Sequence, residues 1–146
     1  MWMFKMRRRL HIEWQQAGSS SGTCSYASET WSNLVLVVEE LRRELSSLGI
    51  SMSATQVRPQ QQIGQAIQGL LFNRVPLEEL LPELRIPRRH CPSCEAQRGE
   101  SVLCPAVIAE GVEYRSLPPF LLRRAILTSV GMMQPLRPLN LAQAIS

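Results

Sequence analysis

Apolar residues recur at Leu34, Val38, Leu41, Leu45 and Leu48, at alternating spacings of four and three residues. Only an α-helix brings such positions onto one face, and Glu39, Glu40, Arg42, Arg43 and Glu44 fall between them as its wet side. Ser28 has the chemistry of an N-cap, Glu29 suits the positive end of the helix dipole, and Gly49 is a natural stop. The pattern predicts a helix from Glu29 to Leu48, with Cys24 just ahead of it. A cysteine at the head of a helix sits where a thiolate is favoured.

Strand-like segments lie on both sides. From Arg8 to Trp14, Leu10, Ile12 and Trp14 alternate with His11 and Glu13, which places His11 outward at the surface. From Ile50 to Val57, Ile50, Met52 and Ala54 alternate with Ser51, Ser53 and Thr55. Two strands joined by one helix form a βαβ unit, and its strands pair in parallel. Pro59 can open a short helix carrying Ile63, Ala66 and Ile67, and Gly69 ends it. Leu70 to Phe72 is a third strand, turning at Asn73-Arg74, and Pro76 begins a short helix over Leu77 to Leu81. Glu110-Gly111 is the turn of a hairpin between Ala106–Ala109 and Val112–Arg115. Pro118 and Pro119 open a last helix with Leu121, Leu122, Ala125, Ile126 and Val130 on its apolar face.

The order is therefore α/β: β-α-β-α-β, a cysteine-loop insertion, β-β, and α. This is the element order of a thioredoxin-like sheet with helices on both faces. The expected organisation is an N-terminal arm over residues 1–7, a domain over 8–130 with an insertion at 82–105, and a tail over 131–146. A chain of 146 residues suits one such domain.

Composition removes several function classes. The chain has no Asp and only two His, His11 and His90. A Ser-His-Asp triad, an EF-hand and a Walker-type aspartate are all excluded. The net charge is a mild +4, and the basic residues concentrate in short runs, Arg7-Arg8-Arg9 and Arg85, Arg88 and Arg89. Runs of that length read as solvated surface, so nucleic acid is not an expected partner. The longest apolar run, Leu34 to Val38, is too short to span a bilayer. The first residues lack the order of a secretory signal, and a reducing cytoplasm is the expected location.

There the four cysteines carry the chemistry. Cys91-Pro92-Ser93-Cys94 is a CxxC turn, and Cys104 follows ten residues after Cys94. A CxxC brings two sulfurs close enough for a disulfide or for one edge of a tetrahedral metal site. Cys104 joins them if the loop folds back, and zinc then needs a fourth donor. Candidates are His90, Glu100 or Cys24. Spacing leaves metal and redox use both open.

These pieces resemble a domain-of-unknown-function family of small bacterial and archaeal proteins predicted to be thioredoxin-like. The resemblance spans about residues 8–130. It is carried by Ile12-Glu13-Trp14, Thr23-Cys24, Glu39-Glu40-Leu41 and Leu48-Gly49-Ile50. Phe72-Asn73-Arg74-Val75-Pro76-Leu77-Glu78-Glu79-Leu80-Leu81, Cys91-Pro92-Ser93-Cys94, Cys104 and Glu113-Tyr114 extend it. The family pattern has a second cysteine three residues after the first, where this chain has Ala27. The resemblance thus implies a fold, with Cys24 as a lone accessory or catalytic thiol. The expected function is a thioredoxin-like thiol or metal protein working through Cys91, Cys94 and Cys104, with His90 as a further metal ligand and zinc as the cofactor. An unknown protein or a small thiol is its expected partner. The alternatives are an interaction module with a zinc-stapled loop and a redox-dead paralogue.

Overall fold

The computed structural model describes residues 8–15, 25–57 and 69–131. They form a mixed α/β structure. Strand β1 (Arg8–Gln15) is followed by helix α1 (Ser25–Ser47) and β2 (Ile50–Val57). β1 and β2 pair in parallel, from Arg8 opposite Ile50 to Gln15 opposite Val57. A parallel pair needs a long crossover, and α1 supplies it. β3 (Gly69–Phe72) lies antiparallel on the other side of β1, and β4 (Val75–Pro76) pairs with β3 at the edge. The sheet order is β2-β1-β3-β4. Pro76 is tolerated there because an edge strand need not donate on its outer side.

One face of this sheet is apolar. Leu10, Ile12, Trp14, Ile50, Met52, Leu70 and Phe72 are all buried in one cluster. Leu34, Val37, Val38, Leu41 and Leu45 of α1 close that cluster from above, with Leu121, Leu122, Ala125 and Ile126 of α4 (Pro119–Ser129). Leu77 and Leu80 of the short helix α2 (Leu77–Leu80) complete it. The opposite face carries His11, whose Nδ1 lies 2.9 Å from Ser53 Oγ. The helix expected over that face falls at Pro59 to Gly69, where 58–68 lie outside the described residues, as do 1–7 and 132–146, which hold the expected arm and nearly all of the tail.

The first helix starts earlier than its sequence signals. Ser28 lies three residues inside α1 and so is not its N-cap, and polar residues beside it in the first turns are used across the fold. Thr30 Oγ1 accepts the Leu117 N–H at 3.1 Å, and Asn33 Nδ2 donates to the Leu117 carbonyl at 2.9 Å. Ser116 Oγ donates to Glu29 Oε1 at 3.1 Å. These bonds tie the head of α1 to the chain entering α4. At the other end Gly49 takes the left-handed conformation (φ 82°) that releases the chain into β2. Leu48, counted on the buried stripe by its spacing, lies in that turn and is exposed, and Val37 takes a place in the core.

Asn73 and Arg74 both have positive φ (51° and 74°), as a two-residue turn between twisted antiparallel strands demands. Asn73 does more than turn. Its Oδ1 accepts the His11 N–H at 2.8 Å and its Nδ2 donates to the Arg9 carbonyl at 2.9 Å. Asn73→Ala removes both bonds and the residue type that tolerates this backbone. Its expected cost is about 1–2 kcal/mol in urea unfolding. A cost near zero would show that the turn does not pin β1.

The later hairpin, β7 (Val107–Ala109) and β8 (Val112–Tyr114), forms as expected around Glu110-Gly111. It makes its own two-stranded sheet and does not extend the main one. Two backbone hydrogen bonds between Arg85 and Ile108, at 3.0 and 2.8 Å, tie it to the chain after α2. β4 occupies the edge that the hairpin was expected to reach. Among the described residues, no helix is long and apolar enough to cross a membrane.

Candidate metal centre

The cysteine segment has a fold of its own. β5 (Arg88–His90) and β6 (Leu103–Pro105) pair antiparallel, and α3 (Pro92–Arg98) lies between them. Pro92 has the fixed φ that suits a first helical position, and Gly99 closes the helix in the left-handed conformation (φ 71°). Both signals are present in the sequence. The strands are too short, at three residues each, to show a period.

This geometry gathers the sulfurs. Cys91 stands at the junction of β5 and α3, and its N–H donates to the Val102 carbonyl at 3.0 Å. Cys94 projects from the first turn of α3. Cys104 comes from β6, opposite Arg89. The three Sγ atoms all lie within 4.8 Å of one another, and Cys94 and Cys104 approach to 3.6 Å. Cys94 is 1% exposed, while Cys91 and Cys104 are half-buried. The cluster thus opens at one side and is closed on the other.

The Cys91 thiol is acidic for its type. Its pKa falls from 9.0 to about 6, first through the hydrogen bond with Ser93 and next through the backbone N–H of Cys94. Burial opposes the shift, and the thiols of Cys94 and Cys104 add smaller contributions. At neutral pH the anion predominates. In reduced, metal-free protein, Cys91 alkylation by iodoacetamide should therefore rise with pH through a midpoint near 6, and fall away below it. Ser93→Ala removes the largest cause and should move that midpoint upward. A midpoint unmoved by Ser93→Ala would contradict this origin.

His90 is not brought into the sulfur group. Side chains alternate along a strand, and His90 pairs with Leu103, one position from the Arg89–Cys104 pair. Its Nδ1 lies 2.8 Å from Glu95 Oε2 and 3.2 Å from Ser101 Oγ. Glu95 also accepts the Val102 N–H at 3.0 Å, and its carboxyl is held below the usual range first by that bond and then by His90. Glu95 had no place among the sequence candidates; here it closes the end of the ribbon. Glu100 is exposed beyond Gly99. Cys24, the expected accessory thiol, lies outside the described residues.

A cavity of about 80 Å³ lies between the head of α1, the start of β3 and the root of the cysteine ribbon. Tyr26, Gly69, Leu77, Glu78 and Arg88 help to line it. It is far below the roughly 300 Å³ at which pockets begin to hold organic ligands, so the sulfur cluster is the stronger site.

A family model described as Domain of unknown function (DUF2703) matches residues 10–126. That span includes both the βαβ unit and the three clustered cysteines. No curated protein and no solved structure matches the chain.

Proposed function

The chain belongs to this family of unknown function, and from that premise we propose that Cys91, Cys94 and Cys104 form a metal-binding centre, with zinc as its first candidate. One observation carries the reading: three sulfurs converge within 4.8 Å, the closest pair at 3.6 Å. Sulfurs about 2.3 Å from a tetrahedral zinc ion stand about 3.8 Å apart, so three corners of such a site are nearly in place. A disulfide would need its sulfurs at about 2.0 Å. The fourth corner falls to water, to Cys24, or to His90 after it leaves Glu95.

The dithiol reading rests on the same 3.6 Å approach of Cys94 and Cys104, beside a Cys91 thiolate that could start exchange. In either case the centre sits on a separate ribbon, the insertion at 82–105 of a domain spanning 8–130. The parallel β1–β2 pair with its α1 crossover, and β3 antiparallel beside β1, support the thioredoxin-like reading of that domain. Three reduced cysteines in one cluster suit the cytoplasm.

Metal analysis with thiol counting on protein purified anaerobically tests the proposal. The expected result is about one zinc per chain, with Cys91, Cys94 and Cys104 protected until chelator is added. Metal-free protein with a reducible bond inside Cys91–Cys104 would favour the dithiol instead. Freely reactive cysteines throughout a folded, metal-free, air-exposed protein would exclude both.

A further inference from the structure

We infer that the sulfur cluster takes trivalent arsenic, as arsenite, in preference to a divalent cation. This rests on the metal-centre reading above and names the class of ion that the donor set fits.

Donor type favours arsenic. Among the described residues, the donors that converge are all sulfur. Neither His90 nor Glu95 belongs to the converging group; His90 Nδ1 lies beside Glu95 and Ser101, and Glu95 accepts the Val102 N–H. A purely thiolate set selects soft, sulfur-loving ions over those that favour nitrogen or oxygen.

So does the number of ligands. Trivalent arsenic binds three ligands in a pyramid, and its lone pair fills the remaining direction. Cys91, Cys94 and Cys104 satisfy it completely. Zinc on the same three sulfurs still lacks a ligand.

Charge points the same way. Three thiolates around a divalent cation carry one net negative charge, whereas around As(III) they are neutral. Cys94 is 1% exposed, so part of any complex is shut away from water. Burying net charge is costly, and the neutral complex avoids that cost. The reaction balances without oxidant or reductant: As(OH)₃ and three thiols give As(SR)₃ and three waters. Three As–O bonds are exchanged for three As–S bonds, and each thiol proton leaves in a water.

The test uses intact, reduced protein with sodium arsenite or zinc chloride, read by native mass spectrometry and by competition between the two. Phenylarsine oxide, which has only two exchangeable positions, serves as a control. The expected result is one arsenic per chain, with a mass gain of one arsenic less three protons, and displacement of bound zinc by arsenite. Cys91→Ser, Cys94→Ser and Cys104→Ser should each lose arsenite binding. The single variants should still bind phenylarsine oxide through their remaining pair, which shows that the ribbon is intact. Binding of zinc without arsenite would overturn this inference and leave the metal centre standing. Binding of neither ion would remove both. Arsenite binding that survives loss of one clustered cysteine would also overturn it.

Discussion

Phe72→Ala is expected to destabilise the protein by about 3–5 kcal/mol. Phe72 is 1% exposed and is among the largest fully buried side chains. It stands opposite Ile12 on the central strand β1, where the sheet meets the helices. Its removal opens a hole in the core cluster that the surrounding side chains close only in part. Domains of this kind are stable by only about 5–15 kcal/mol, so the variant should lose a large share of its margin. Urea unfolding followed by circular dichroism measures the effect. A cost below about 1 kcal/mol would mean that Phe72 is not at the centre of the core. Metal binding by the remaining folded fraction should be unchanged, because the cysteine ribbon packs outside this cluster.

The second large effect is expected at the ribbon itself. A metal that binds only the folded state adds its binding free energy to stability. Zinc held at a hundred times its Kd adds about 2.7 kcal/mol, and chelator should remove that amount from the wild type. Cys94→Ser should lose the same contribution, together with about 1–3 kcal/mol for burying a hydroxyl where a thiol was. The two perturbations should therefore not add: chelator should do little to a variant that has already lost the site. Thermal unfolding of both proteins, each with zinc and with chelator, measures this. Equal losses to chelator in wild type and Cys94→Ser would place the metal elsewhere. Indifference to chelator combined with sensitivity to reductant would favour the dithiol.

The parts of this fold that were legible in sequence are those governed by local rules. Ile50–Val57 forms a strand with the expected ends because Ile50 to Thr55 alternate apolar with polar and Gly49 precedes them. Asn73-Arg74 and Glu110-Gly111 are turns because Asn73 and Gly111 are of the types that accept positive φ, and Arg74 and Glu110 adopt it beside them. What escaped is governed by distant contacts. Ser28, Glu29 and Thr30 look like a cap, yet Glu29 and Thr30 are spent on Ser116 and Leu117, 87 positions away. Leu48 fits the helical spacing but follows the end of α1.

The candidate site shows the same division. The CxxC and Cys104 were readable as a set, since a turn and a returning loop are enough to join them. That loop proved to be a ribbon around a short helix, marked only by Pro92 and Gly99. His90 adjoins Cys91 in sequence, but strand alternation turns it toward Glu95. Adjacency in sequence is a poor guide to ligation within a strand, where successive side chains point to opposite faces.

The central claim, a metal held by three sulfurs, is tested most directly by X-ray absorption at the zinc edge on purified protein. The expected first shell has sulfur neighbours at about 2.3 Å, three of them for each zinc, and one lighter donor or a further sulfur. The sulfur shell should shrink in Cys91→Ser, Cys94→Ser and Cys104→Ser alike. A first shell made only of nitrogen and oxygen, or one unchanged by all three substitutions, would contradict it.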